Sequence, residues 1–293
     1  MSGVGSPPPV TLSARPSHGH KGTFGTVLII GGCDDGRAVM VGGPTFAAIG
    51  ALRAGAGRAQ LFVPQTLASA CLTVAPSATV WPHENDPVKS VDRLLEILPM
   101  IQSVVVGPGL GAGATAAALV KASVSVSCPV IVDADALNIM AREPGLLETV
   151  GDHVVLTPHP GEYQRLAESL SLDPSPRSDD ERRAAAMAMS SKSGVVTVLK
   201  GHRTVVSDGD QVWICDRGSV ALATAGTGDV LSGILGGLLA RTDVQHSTFE
   251  RVCLAVWIHA VAGEQWAARH GDGGLLAMEL AGEVPFVMSN LQT

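Results

Sequence analysis

The chain has 293 residues, 46% of them apolar, with a formal net charge of −7 and a pI near 5.7. That length and apolar share can bury the core of one large α/β domain, preferred here over two modest ones. An acidic balance without clustered Lys and Arg excludes a nucleic-acid surface, and 3% aromatic content removes the stacking platforms of single-strand binders.

In chain order, residues 1–20 open with M-S-G-V-G-S-P-P-P-V, polar and Pro-rich without a signal-peptide pattern. They are expected to form a disordered tail ahead of a single domain over 21–293. Apolar runs follow at 23–32, 58–64, 103–108, 129–133, 153–158 and 194–200, each rich in Val, Ile or Leu without polar alternation. Helix-compatible stretches separate them, the first at 43–54, which predicts a mostly parallel sheet covered by helices on both faces. Between 200 and 216, shorter β-branched pieces around D-G-D predict an antiparallel hairpin. Residues 173–180 read as an exposed loop and the last stretch of the chain as helical. No apolar run approaches the ~20 residues of a membrane span. Cys33, Cys71, Cys128, Cys215 and Cys253 are scattered with no C-x-x-C pair, which suits a reducing, cytoplasmic setting. The histidines show no paired metal spacing, arguing against a structural transition-metal site.

In parallel sheets ligands gather at the carboxyl ends of the strands, and the motifs of this chain fall there. In V-V-V-G-P-G-L-G-A-G-A (104–114), Gly109, Gly111 and Ala114 fit G-x-G-x-x-A, with Asp133 where a ribose-binding acid would stand. Alone this pattern suggests a dehydrogenase, but Pro108 in the turn and the long stretch of chain before it favour backbone laid against a substrate. In D-A-D-A-L-N (133–138), Asp133 is equally readable as a ligand contact or a structural acid, and Asp135 as the N-cap of a helix starting near Ala136. Prolines on both sides of His159 hold its imidazole out at a strand end as a ligand contact. Glu162 either stabilises the helix start or touches a hydrated Mg²⁺. In V-L-K-G-H-R-T (198–204), the strand delivers Lys200 and Arg203 to the ligand edge, where they could hold a nucleotide.

The most informative stretch is A-T-A-G-T-G-D-V-L-S-G-I-L-G-G (223–237), a glycine-rich turn running into a helix. Gly226 and Gly228 let successive N–H groups converge on an anion at the positive end of the helix dipole. Asp229 would repel that anion unless it has a task, and the favoured task is to accept a proton from a hydroxyl attacking phosphorus. Val230, Leu231, Ile234, Leu235, Leu238 and Leu239 form one apolar stripe. Gly233, Gly236 and Gly237 inside it imply close packing against a neighbour.

The ordered set K-G-T-F-G, A-L-R-A-G-A-G, G-P-G-L-G, D-A-D-A-L-N, T-P-H-P-G-E, L-K-G and A-G-T-G-D, within a match that spans roughly 21–263, resembles the ADP- or ATP-dependent NAD(P)H-hydrate dehydratase family. The resemblance implies a ribokinase-like three-layer fold with a mostly parallel central sheet. It implies an enzyme that phosphorylates the C6 hydroxyl of hydrated NADH or NADPH from ADP or ATP with Mg²⁺, then eliminates phosphate. By the same match Asp229 is the base, acting with the amides of Gly226, Thr227 and Gly228. Lys200, Gly201, His202, Arg203, Thr204 and Gly228 hold the nucleotide. Gly43, Gly109, Gly111, His159 and Asp229 contact the hydrated dinucleotide. With an ordinary pKa near 4, Asp229 could only take the proton in concert with attack on phosphorus. The resemblance also favours a homo-oligomer, and any epimerase for the hydrate is expected on a separate chain.

The chain departs from the family at Ser77 after Pro76, where Pro-Glu is usual, at Ser219, Val220 and Ala221, where Asn-Pro-Gly is usual, and at Gly43, usually Ala. These departures are expected on the substrate side. They keep two alternatives open, a small-molecule hydroxyl kinase of the same fold and a catalytically altered nucleotide-binding homologue.

Overall fold

A computed structural model describes residues 6–36, 38–242 and 245–291. The elements run β1 (Thr26–Ile30), β2 (Cys33–Asp34), β3 (Val39–Met40), α1 (Gly42–Arg53), β4 (Arg58–Pro64), α2 (Ala68–Val74), β5 (Thr79–His83), α3 (Pro87–Ile97), β6 (Ser103–Val106) and α4 (Ala114–Val124). They continue with β7 (Val130–Val132), α5 (Asp135–Arg142), α6 (Pro144–Leu147), β8 (Val154–Leu156), α7 (Pro160–Ser169), α8 (Asp179–Ser193) and β9 (Val196–Leu199). Last come β10 (Val205–Ser207), β11 (Val212–Ile214), α9 (Thr227–Leu239), α10 (Thr248–His270) and α11 (Ala277–Ser289).

Nine strands form one sheet in the order β11-β10-β9-β8-β7-β6-β1-β4-β5. All neighbours from β9 to β5 are parallel, and β10 pairs antiparallel with both β9 and β11, as the D-G-D hairpin required. Alternate residues of each strand enter two separate cores. Val27 and Ile29 face α1, α9, α10 and α11, while Leu28 and Ile30 face α3, α4, α5, α7 and α8. Covering both faces explains why the strands read as unbroken apolar runs.

The glycines of α9 are spent on packing. A Cβ at Gly233 would lie 2.0 Å from the Ala47 carbonyl oxygen of α1, and one at Gly236 2.8 Å from Val105 of the sheet. The helix therefore lies flush in its bed, and its N-terminus is fixed relative to the strand ends.

Two expectations change. The segment 6–20 is anchored rather than free: Leu12 is buried with its N–H on the Leu291 carbonyl at 3.0 Å, and the Ser6 hydroxyl donates to Asp216 at 2.8 Å. Its few apolar residues have a large body to dock on, which composition alone does not reveal. The turn of Pro76 and Ser77 precedes β5, which runs parallel to β4, so Ser77 lies at the amino edge of the sheet, opposite the strand ends that carry the motifs. That departure is not on the substrate side.

Candidate active site

The carboxyl ends of β7, β8 and β9 meet the N-terminus of α9. Gly226 takes φ +89°, a conformation that L side chains rarely adopt, and the helix begins at Thr227. The turn is tied down on two sides. The Thr227 hydroxyl bonds to the carbonyls of Leu222 and Thr224, both at 2.8 Å, and His259 of α10 donates from Nε2 to the Thr227 carbonyl at 2.9 Å. Burial pushes the His259 pKa down to about 4, so the ring is neutral at physiological pH.

Asp133, at the end of β7, is 1% exposed and has both oxygens engaged. Lys200 Nζ donates to Oδ1 at 2.6 Å, and the Ser232 hydroxyl, one turn into α9, donates to Oδ2 at 2.5 Å. Burial alone would raise this carboxyl, but Lys200 and the hydroxyl donors outweigh it and hold Asp133 below the usual carboxylate range. The equal alternatives for Asp133 thus resolve toward structure: it clamps α9 and Lys200 to the sheet.

Lys200 faces three acids. Besides Asp133 it has Glu162 at 3.9 Å and feels the charge of Asp229. Its Nζ lies 3.7 Å from where a Cβ would stand on Gly228, directly beside the turn. Burial opposes its charge, but the surrounding acids raise its pKa, so it is a fixed cation there.

Asp229 differs from its neighbours. It lies in the first turn of α9, yet no side chain caps this helix, and Asp229 makes no hydrogen bond or ion pair of its own among the described residues. Burial, followed by the charge of Asp133, pushes its pKa up to about 7, with Lys200 opposing. The ordinary carboxylate value assumed from sequence is therefore corrected by the environment. A carboxyl poised near neutrality without a structural partner is suited to take a proton.

His159 and Glu162 form a capping box at the start of α7. His159 Nδ1 accepts from the Gly161 amide at 3.0 Å, and Glu162 Oε2 accepts the His159 amide at 2.8 Å. Glu162 Oε1 lies 3.2 Å from His159 Nε2, so both carboxylate oxygens are committed and the helix-start reading of Glu162 is the one supported. Burial pushes Glu162 up to about 7. Half of the His159 side chain stays exposed toward solvent. Among the described residues, no group of three His, Cys, Asp or Glu is placed to hold a metal ion.

On the neighbouring side, Asp135 is not an N-cap. It lies inside α5, after Ala134 at φ +50°, and its Oδ2 accepts the Gly111 amide at 2.8 Å. Gly43, near the start of α1, packs on this same turn: a Cβ there would be 2.9 Å from the Pro108 carbonyl carbon and 3.1 Å from the Gly109 nitrogen. The alanine usual at this place would press on that backbone, so the departure at Gly43 is tied to packing. Val220 to Leu222 form a single 3-10 turn capped by Ser219, and the Leu222 carbonyl holds Thr227, which links this departure to the turn of Asp229.

Gly201, His202 and Arg203 lie on an exposed loop, and Thr204 bonds to the Gly201 carbonyl at 3.0 Å. Arg203 pairs with Asp179 at the surface. Sequence reasoning passed over Arg182, whose guanidinium reaches from α8 to the carbonyls of Leu199, Lys200, His202 and Arg203. Nothing in D-D-E-R-R separates it from the adjacent Arg183 or from a solvated helix start. Ser232 and His259 were likewise passed over, one as part of a helix and one among terminal apolar residues.

This geometry has relatives. The profile of the NAD(P)H-hydrate dehydratase family matches residues 27–285. The chain is 33% identical over 287 residues to an ADP-dependent (S)-NAD(P)H-hydrate dehydratase of Bacillus subtilis, covering 96% of this chain and 95% of that one. It is 38% identical over 280 residues to a bifunctional NAD(P)H-hydrate repair enzyme of Gloeobacter violaceus, covering 94% of this chain but only 52% of that longer protein. The chain thus spans about half the length of that two-activity relative. A crystal structure of ADP/ATP-dependent NAD(P)H-hydrate dehydratase from Bacillus subtilis, co-crystallised with ATP/Mg²⁺, superposes with a TM-score of 0.78 at 30% identity, covering 96% of this chain and 95% of that one. The fold is the ribokinase-like one that the motifs implied. Fold and sequence agree, and the chain belongs to the NAD(P)H-hydrate dehydratase family.

Proposed function

We propose that the protein restores hydrated NADH or NADPH to NADH or NADPH at the expense of ADP or ATP. The observation that carries this reading is Asp229, the acid in the cluster with no bonded partner, held near neutral pKa at the anion-binding end of α9. Its carboxylate takes the proton of the C6 hydroxyl as that oxygen attacks the terminal phosphoryl group. The amides of Gly226 to Asp229 stabilise charge on the transferred group. Lys200 adds a fixed cation beneath it, and the loop 200–204, braced by Arg182, carries the rest of the nucleotide. The phosphorylated oxygen then leaves as phosphate while the ring nitrogen donates its lone pair, and loss of a proton from the adjacent ring carbon completes the double bond.

The carboxylate oxygens of Asp133 and Glu162 are already engaged, so a Mg²⁺ would be held chiefly by phosphate oxygens and water. It would supply charge neutralisation there. The same reading includes a homo-oligomer working in the cytoplasm, with exposed Leu276, Met278 and Phe286 around α11 as an apolar face for assembly. Among the described residues, no helix is long and apolar enough to cross a membrane.

The test is to incubate the protein with hydrated NADH, Mg²⁺ and ADP or ATP and follow NADH absorbance together with free phosphate. Parallel rise of both supports dehydration. Phosphate retained on another acceptor would establish a kinase, and nucleotide binding without turnover a catalytically altered homologue.

A further inference from the structure

The turn of Asp229 is framed from one side by α10. Where the chain enters the turn, Glu264 accepts the Gly218 amide at 2.7 Å. Gly263 lets Leu222 approach, since a Cβ there would lie 2.6 Å from Leu222 Cγ. His259, one helical turn before Gly263 on the same face, donates from Nε2 to the Thr227 carbonyl at 2.9 Å. Glu264 and Gly263 fix where the backbone runs, whereas His259 acts on a peptide at the helix N-terminus.

The Thr227 carbonyl and the Gly228 N–H are the two ends of one planar, trans peptide group. A donor on its oxygen draws electron density toward the carbonyl, makes the N–H a stronger donor and fixes the plane in which that N–H points. The N–H is open to a ligand. Gly228 is the second residue of α9, so its amide has no intrahelical acceptor, and among the described residues no turn carbonyl takes it. Lys200 Nζ lies 3.7 Å from where a Cβ would stand on Gly228, so a cation and this amide converge on the same anion.

The backbone does not need the His259 bond. Thr227 is the first residue of α9, and its carbonyl already accepts an amide four residues on within the helix. A partly buried imidazole costs desolvation that an apolar side chain would not. The ring is also held in one form: Nε2 carries the proton, because a carbonyl can only accept, and burial together with the charge of Lys200 keeps the ring neutral. It therefore offers a fixed dipole and no charge.

We infer that His259 is a positioning residue for phosphoryl transfer, which aims and strengthens the Gly228 amide through the peptide group that amide shares with the Thr227 carbonyl. The inference rests on the phosphoryl-transfer step of the dehydratase reading. A donor prepared in this way counts most as charge develops on the transferred group, so its loss falls on kcat.

The test pairs His259→Leu, which removes the donor, with His259→Gln, whose amide N–H can reach the same carbonyl. With hydrated NADH, Mg²⁺ and ATP, His259→Leu should lower kcat about tenfold, short of the roughly 10²–10³-fold that deleting an oxyanion donor itself costs, and leave KM for ATP within about twofold. His259→Gln should recover most of the loss. Both variants should keep the stabilisation by ATP against heat, which shows the site folded. The backbone nitrogen resonance of Gly228, which needs no turnover, should move upfield in His259→Leu and stay near its wild-type position in His259→Gln. Unchanged kcat in His259→Leu, an equal loss in both variants, or a Gly228 resonance indifferent to the donor overturns the inference alone. Absence of hydrated NADH turnover by the wild type overturns the dehydratase reading and the inference with it.

Discussion

The floor and the rim of the proposed active site use the same residue types to opposite ends. On the floor, Asp133 is buried and Lys200, part-buried, is held against it, and both side-chain oxygens of the acid are bonded. On the rim, Asp229 is unbonded, and Arg203 with Asp179 forms a surface pair with each side chain more than 40% exposed. The floor spends its polar groups on rigidity. The rim keeps one carboxylate uncommitted; burial raises its proton affinity most, and the floor adjusts it, the charge of Asp133 raising Asp229 further while that of Lys200 lowers it.

The largest expected effect breaks the rim. Asp229→Asn keeps shape but cannot accept a proton, so kcat should fall by about 10³-fold, within the range for loss of a positioned base, with nucleotide affinity retained. Single-turnover kinetics beside an ATP titration would check both halves. A kcat within a few-fold of wild type would refute the assignment of the base.

Breaking the floor should cost stability first. Lys200→Met leaves Asp133 buried without its cation, a change worth about 3 kcal/mol, since one partner of a buried pair is stranded. Denaturant melts at pH 7 read this directly. Asp133→Asn is the more informative partner, because it removes a negative charge from beside Asp229 and frees Lys200 to act on it. The acidic limb of the pH–rate profile should then move below that of the wild type.

The wild-type profile itself follows from the sign of the Asp229 shift. The base must be ionised, so kcat/KM should drop tenfold per pH unit below about 7 and level off above it. Stability runs the other way. A carboxyl whose folded pKa exceeds its unfolded value near 4 favours the folded state fully below pH 4 and loses that contribution as pH rises through about 7. Asp229→Asn should therefore be more stable than wild type by about 4 kcal/mol at pH 8 and within about 0.5 kcal/mol of it at pH 4. Paired thermal melts at the two pH values would separate this from a general packing gain.

What could be read from the sequence divides along the same line. Strands buried on both faces announce themselves as apolar runs, and the turn of Gly226 carries its own explanation in residue types. The floor does not, because Lys200 and Asp133 are 67 residues apart and Ser232 is 99 from Asp133, and only the sheet order brings them together. Lys200 and Arg203 look alike on one short loop. What separates them is Asp133 beneath one and solvent beside the other. The strand β5 was missed because T-V-W-P-H contains a proline, tolerated here at the sheet edge. That single omission reversed the side on which Ser77 falls, since strand direction decides which end of a connection lies with the motifs.

The smallest effect sharpens the comparison from the rim. Arg203→Ala removes a surface ion pair with Asp179, and such pairs contribute roughly 0–1 kcal/mol, screened further by salt. Its melting curve should nearly overlay that of wild type at 0.15 M salt. If Arg203 also touches the nucleotide, KM for ATP should rise with kcat unchanged, because a rim contact is made equally in the ground and transition states. A fall in kcat instead would mean that the loop 200–204 transmits strain to the Asp229 turn. The bracing of that loop by Arg182, which bonds the carbonyls of both Lys200 and Arg203, then becomes the connection to test with Arg182→Lys. Lysine keeps the charge but cannot span four carbonyls, so a drop in kcat in Arg182→Lys without one in Arg203→Ala would place the coupling in the brace rather than in the surface pair.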